Sequence, residues 1–179
     1  MTSFYSSEEL KEIGFKSLGN NVLISKKASI YSPDKISIGN NVRIDDFCIL
    51  SGNIIIGSNI HISAFCALYG AMGIILKDFT GMSPRCTIFS ATDDFQGDFL
   101  IGPIHPKELT NVTGGLVLLN SYVQLGASTI VMPNLTIGEG AVTGSYTLVR
   151  KSLEPWTINI GIPSHVLKKR NKGLLDKKY

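Results

Sequence analysis

The sequence predicts a mainly β fold, a triangular coil of short stacked strands, on three observations. Aliphatic residues recur at every sixth position: Leu18, Ile24, Ile30; Ile38, Ile44, Leu50; Ile56, Ile62, Leu68; Leu76, Met82, Ile88. After a break the period resumes at Leu119, Leu125, Val131, Ile137, Thr143 and Val149, where only Thr143 is not aliphatic. Helical periodicity is almost absent from the same stretch, and Gly supplies 18 of the 179 residues. A repeat this short cannot be a helical unit. Three units complete a turn of three short strands, each sending one aliphatic residue inward, and only stacked turns can bury those residues.

The elements follow in chain order. Ser6-Ser7-Glu8-Glu9 ahead of Leu10 and Ile13 is a capping-box pattern, and Gly14 closes it. It predicts a short helix over residues 1–14 that covers the open end. The coils then run over 15–163. The steps from Ile38 to Ile56 and from Leu119 to Ile137 are three hexads long. Those from Leu18 to Ile38 and from Ile56 to Leu76 are two residues longer. The extra residues belong to the turn-rich corners Ser32-Pro33-Asp34-Lys35 and Gly70-Ala71-Met72-Gly73. Cys48, Cys66 and Cys86 each hold the fifth place of the middle hexad. They should stack inside with Ala28, Thr129 and Thr147, as small packing residues. One long loop interrupts the array at about 92–115. It carries Asp93, Asp94 and Asp98 with Phe95 and Phe99 between them. A loop of that length in a compact array is usually functional. Pro155-Trp156 closes the last coil, and a basic helix and tail is expected over 164–179.

Composition excludes several classes. Hydrophobic residues make up 44% of the chain, too many for a disordered segment. No apolar run approaches the ~20 residues of a membrane span. The net charge of +3 argues against nucleic acid. The positive charge gathers in the tail at Lys168, Lys169, Arg170, Lys172, Lys177 and Lys178. An odd count of three cysteines and no basic, apolar leader at the start point to a reducing cytoplasm without disulfides. A single domain is expected.

Over about residues 15–170 the chain resembles the hexapeptide-repeat acyltransferases, which fold as left-handed parallel β-helices. The opening F-Y-S-S-E-E-L-K-E-I-G-F, the segment Arg43 to Cys48 and the run S-A-T-D-D-F look most like the bacterial dTDP-4-amino-4,6-dideoxyglucose acyltransferases. That likeness implies transfer of an acetyl group from acetyl-CoA to the amine of a nucleotide-linked deoxyamino sugar for surface polysaccharide. It also implies a homotrimer with sites between subunits. Because the three cysteines should face inward, none is placed as a nucleophile, so direct attack without an acyl-enzyme is expected, and no metal. The maltose and galactoside O-acetyltransferases carry a base histidine just after a similar strand. Here Thr87-Ile88-Phe89-Ser90-Ala91-Thr92 is followed by Asp93, and their N-x-N-C segment reads Ser63-Ala64-Phe65-Cys66.

The chemistry agrees with that departure. A hydroxyl must lose its proton as it attacks and needs a good base, whereas a neutral amine needs only a modest acceptor. Asp93 is the first candidate for base or amine anchor, against a loop-capping role. Asp94 is the second, and His105 in the same loop is a rival base. Stacking by coil length brings Arg43, Asp45, His61 and Ser63 together on one outer region, with Arg85 nearby. This is a sugar-nucleotide or subunit surface; Arg43 and Arg85 suit a diphosphate or surface ion pairs. His61 suits substrate or an interface hydrogen bond. The likeness assigns the CoA arm to Gly126, Ala127, Ser128, Gly144 and Ser145, which read alone are ordinary hexad residues. It assigns the CoA phosphates to Arg150, Lys151, Lys168 and Arg170, and the adenine turn to Ile162 and Pro163. The basic tail also reads as a solvated face.

Three other functions compete. O-acetylation of a sugar hydroxyl shares fold and cofactor. A zinc hydratase needs three converging histidines, and His61, His105 and His165 are the three in the chain. A non-enzymatic scaffold needs neither the acidic loop nor the basic tail.

Overall fold

The computed structural model describes residues 3–177; Met1, Thr2, Lys178 and Tyr179, which include one tail lysine and the start of the expected helix, lie outside them. The chain winds as a three-sided parallel β-helix. One face stacks Ser17–Leu18, Ile36–Ile38, residues 54–56, residues 74–76, Val117–Leu119 and Thr136–Ile137. The second stacks Val22–Ile24, Val42–Ile44, Ile60–Ile62, Gly81–Met82, Gln124–Leu125, Val142–Thr143 and Thr157–Ile160. The third stacks Ser29–Tyr31, residues 49–51, residues 67–69, Thr87–Phe89, Ile130–Val131 and Leu148–Val149.

The hexad sets this geometry. Ile38, Ile44 and Leu50 point inward, as do Ile56, Ile62 and Leu68 and then Leu76, Met82 and Ile88, all at or below 3% exposure. Each such side chain gains roughly 1.5–3 kcal/mol by leaving water. The glycine after it has a packing reason. A Cβ on Gly39 would stand 2.7 Å from the carbonyl of Gly57 in the next coil, so only a bare backbone fits there.

Corners need left-handed backbone, which asparagine tolerates better than most residues. At the corner before the second face, Asn21, Asn41 and Asn59 take it, with φ of 53°, 54° and 60°. Their amides bond up the stack, Asn21 Nδ2 to Asn41 Oδ1 at 2.8 Å and Asn41 Nδ2 to Asn59 Oδ1 at 3.0 Å. Phe79 and Tyr122 continue the same corner with rings stacked 5.0 Å apart. The two long coils bulge where expected, at the 3-10 turn Pro33–Lys35 and between Gly70 and Ile74.

The cysteine ladder lies inside. Each thiol is fully buried and donates to a carbonyl oxygen one coil on: Cys48 to Ser63, Cys66 to Ser83 and Cys86 to Gly126, at 3.1, 3.2 and 3.1 Å. Held between the Cys48 and Cys86 thiols and shut from water, Cys66 is pushed far above the ordinary thiol range. It is a packing group and not a nucleophile.

Both ends are closed. The helix Ser7–Glu12 begins with a complete capping box between Ser6 and Glu9, and its Leu10 covers the first coil. The basic segment at the other end differs from expectation. His165–Lys169 is a strand, antiparallel to Thr157–Ile160, and only a 3-10 turn at Gly173–Asp176 follows. The last coil leaves an open strand edge, and pairing it satisfies backbone groups that a helix would leave bare.

The hexad reading makes a pairwise forecast. Ile56→Ala should lower the unfolding free energy by about 2–5 kcal/mol. Its outward neighbour Ile55, 51% exposed, should lose under about 0.5 kcal/mol as Ile55→Ala. Denaturant melts of the two variants measure both, and comparable losses would contradict the inward register.

Candidate functional site

The long loop leaves the solenoid through a closed neck. Ser90 is fully buried; its hydroxyl donates to the Tyr69 carbonyl and accepts from the Met72 amide. Ala91–Thr92 then pairs antiparallel with Thr113–Gly114. Within the loop, both oxygens of Asp94 are occupied by the amides of Gln96, Asp98 and Phe99, at 3.0, 2.9 and 3.1 Å. The Gln96 amide, helped by the other two, holds the Asp94 carboxyl below the usual range against the opposing effect of burial. Asp94 therefore builds the loop.

Asp93 is placed differently. It is half-buried, and its carboxylate has no hydrogen bond or ion pair among the described residues. It borders a cleft of about 720 Å³ whose walls include Tyr69, Phe89, Thr92, His105 and Lys107. The Tyr69 and Phe89 rings stack 5.3 Å apart as one side of that cleft. A second cleft of about 290 Å³ shares Phe89, Ala91, Thr92 and Asp93 with it and adds Phe95 and Met132. The structure thus brings Asp93 and His105 together and leaves Asp94 out.

A second polar group sits one face away. Asp45 accepts from Arg43 Nε at 2.7 Å through one oxygen and pairs with His61 Nε2 at 2.7 Å through the other. Its side chain is 18% exposed, while those of Arg43 and His61 are 53% exposed. Burial pushes the Asp45 carboxyl up, but the hydrogen bonds from Arg43 and His61 outweigh it and hold the group below the usual range. Ser63 and Ser83 follow in the same column, and Gln124 Nε2 reaches Ser83 Oγ at 3.3 Å. The Arg85 guanidinium lies over the Phe65 ring at 5.6 Å, and Phe65 stacks on Phe47. None of these residues lines either cleft at Asp93.

The expected CoA residues divide. Arg150, Lys151, Pro163 and Ser164 share a cleft of about 310 Å³, one residue beyond Ile162. At the corner between the second and third faces, Gly126 and Gly144 stack so closely that a Cβ on Gly126 would meet Gly144 backbone at 2.6 Å. Their amides donate to Thr143 and Asn159, and that of Ser128 to Pro84. The amides of Ala127 and Ser145, one coil apart, donate to no group among the described residues. Lys168 is exposed on the final strand. Arg170 is committed elsewhere. Its Nη1 donates to the carbonyls of Tyr122 and Gly140 at 2.8 and 2.9 Å, over the Trp156 ring, and burial lowers its pKa. It clamps the last coils.

Sequence reasoning passed over Tyr69, Lys107 and Met132 at the clefts; it stacked Ser83 on Ser63 in the polar column but did not count it among the site residues. The coil register was a usable signal for two of them: Tyr69 and Phe89 are one long coil apart, and Ser83 stacks on Ser63. Among the described residues, no three His, Cys, Asp or Glu side chains gather where they could hold a metal.

No protein-family model matches the chain. It is 42% identical to the dTDP-4-amino-4,6-dideoxy-D-glucose acyltransferase of Escherichia coli over 171 residues, 94% of this chain and 89% of that one. It superposes with a TM-score of 0.96 and 52% identity on AntD, an N-acyltransferase from Bacillus cereus, covering 98% of this chain and 94% of that one in the complex with dTDP and 3-hydroxybutyryl-CoA. Other crystal structures of that protein hold dTDP-4-amino-4,6-dideoxyglucose and coenzyme A. Variants of it were made at one serine and at one aspartate ten residues further on. A maltose O-acetyltransferase from Clostridium difficile 630 shares the fold at a TM-score of 0.58 and 22% identity, over 93% of this chain and 78% of that one.

The Asp45 pair has a signed pH dependence. Its folded pKa lies below the unfolded value, so its contribution is complete above the ordinary aspartate pKa of about 3.9. It is lost as the pH falls through the lower folded value. Asp45→Asn should destabilise at neutral pH, by up to about 1 kcal/mol for a pair this open to water, and lose that effect in acid. Thermal melts at both pH values test this. An equal loss at both would remove charge as the cause.

Proposed function

The chain belongs to the hexapeptide-repeat acyltransferases, among the dTDP-4-amino-4,6-dideoxyglucose acyltransferases, and from that premise we propose that it moves an acetyl group from acetyl-CoA to the amine of a dTDP-linked deoxyamino sugar. The observation that carries this reading is the unpartnered Asp93 carboxylate on the wall of a large cleft, beside an Asp94 whose oxygens are spent on the loop. The spacing of the AntD variants supports it. Ser83 and Asp93 are the one serine–aspartate pair in this chain with that separation and order.

The residues divide the work as follows. Asp93 holds the sugar ammonium by charge and orients it. The ammonium first gives one proton to solvent, and the neutral amine attacks the thioester carbonyl carbon. The C–N bond forms, the nitrogen gives a second proton to Asp93, the C–S bond breaks, and the departing CoA thiolate takes up that proton. The two free amides at Ala127 and Ser145 bond the pantetheine arm, and Arg150 and Lys151 meet the CoA phosphates. Lys107 and Arg43 are placed to attract the nucleotide diphosphate.

The working form is a homotrimer in the cytoplasm with sites between subunits. The long loop supports this. Phe95 is 78% and Ile104 86% exposed, with Leu100, Ile101 and Val112 open beside them. An apolar surface of that kind calls for a partner. A neighbouring copy that covers it would set the Asp45–His61–Ser83 column of one subunit opposite Asp93 of the next. A hydroxyl acceptor is the second reading, carried by His105 in the same cleft.

Thiol release from acetyl-CoA with paired amino and hydroxyl sugars separates the two. Turnover is expected with dTDP-4-amino-4,6-dideoxyglucose and absent with maltose or free galactosides. Asp93→Asn should lower kcat by about 10²–10⁴-fold, and His105→Asn should leave most of it. Turnover of hydroxyl sugars that depends on His105 would overturn the amine reading.

A further inference from the structure

Gly81 leaves a gap in an otherwise filled row. Leu23, Arg43 and His61 hold the outward place of the second face in the first three coils, and Gly81 comes next. The following coil supplies Gln124, whose side chain lies back over the gap; a Cβ on Gly81 would collide with its Oε1. There Gln124 Nε2 donates to the Ser83 hydroxyl oxygen at 3.3 Å and to the Leu125 carbonyl at 3.2 Å. The same Leu125 oxygen accepts the Ser83 amide at 2.9 Å.

This arrangement fixes the direction of a hydrogen bond. A carbonyl oxygen only accepts, so the end of the Gln124 amide that meets Leu125 is its NH₂. That NH₂ only donates, so the Ser83 oxygen accepts from it. The Ser83 hydrogen is left unspent and has no acceptor among the described residues. Resting on the acyltransferase reading, in which Ser83 belongs to the site, we propose that Gln124 is a positioning residue. It holds Ser83 as an acceptor toward the protein, so that the hydroxyl hydrogen goes to an acceptor atom of the bound substrate. A serine hydroxyl otherwise rotates to suit whatever neighbour it meets, and a donor aimed in advance needs no reordering at the moment of reaction. Packing alone does not call for this residue. The two coils that follow carry Val142 and Ile158 in the same row, and an aliphatic side chain would cover Gly81 as well.

The experiment reads kcat/KM by thiol release from acetyl-CoA, with dTDP-4-amino-4,6-dideoxyglucose as acceptor, for the parent, Gln124→Glu, Ser83→Ala and the double variant. Gln124→Glu keeps the shape and reverses the bond: a carboxylate only accepts, so Ser83 spends its hydrogen on it. At neutral pH kcat/KM should fall by about tenfold or more, as when a needed donor is lost. In the Ser83→Ala background the same change should cost nothing further, because residues that act through one another are not additive. The ratio of Gln124→Glu to parent should recover as the pH falls and the introduced carboxyl takes up a proton, which makes it a donor again. The charged groups of the row and its corner are His61, Asp45 and Arg43 beyond Gly81, and Arg85 after Ser83. They move the pH of that recovery and leave its direction unchanged. Gly81→Ala tests the link without touching either polar residue. Its methyl displaces Gln124 and should lower kcat/KM severalfold, again only while Ser83 is present; it decides the matter if Gln124→Glu fails to fold. Full activity of Gln124→Glu, a loss that persists without the Ser83 hydroxyl, or a ratio flat with pH would overturn the proposal and leave the acyltransferase reading standing. A fully active Ser83→Ala would overturn it at its premise. No thiol release by the parent would sink the acyltransferase reading and this inference with it.

Discussion

One constraint governs the molecule: a coil of eighteen residues cannot bury its own inward side chains. Ile44, Ile62 and Met82 are shielded only because the coils above and below cover them. Stacking coils in parallel strand register is the arrangement that does this while every strand keeps its backbone partners. The rest follows from that need. Glycine is forced where consecutive coils touch, as at Gly39. Left-handed residues are forced where the chain turns three times per coil, as at Asn41 and Asn59. Caps are forced at the two ends, where no further coil arrives, and Leu10 and the strand His165–Lys169 supply them.

The same rigidity lets the solenoid carry chemistry on an irregular loop. A loop of this length would ordinarily be mobile. Here Ser90 and the two-stranded neck fix its base, and the Asp94 carboxylate gathers three amides to shape its first turn. That leaves the Asp93 carboxylate unpaired among the described residues, on the wall the two clefts share. The pair illustrates how neighbouring carboxylates take different tasks. Asp94 is held by backbone donors and keeps the loop, and the Asp93 carboxylate has no partner among the described residues.

The column Arg43, Asp45, His61 and Ser63 and the loop residues Asp93 and His105 stand on different parts of one chain. A single chain supplies two half-surfaces, one polar and ordered, the other apolar at its tip and acidic at its root. The exposed rings and aliphatic side chains of the loop are the surface on which the proposed assembly of the two rests. Left in water they cost free energy, which any apolar cover would recover.

Much was legible from residue order. The hexads, the two lengthened corners, the inward cysteines, the helix cap and the place of the loop all follow from a period that repeats along one dimension, where neighbours in space are neighbours in count. The family likeness added the cofactor and the acceptor. Contacts that leave the repeat were not legible. Whether residues 165–169 made a helix or a strand depended on the open edge of the last coil. Whether Arg170 met a phosphate or clamped Tyr122 and Gly140 depended on which carbonyls that coil left bare. Whether Asp93 or Asp94 stayed free depended on a fold of the loop back to the amides of residues 96–99. Period alone determines what stacks on what; only tertiary structure decides which polar groups are already satisfied, because that depends on partners the repeat does not count.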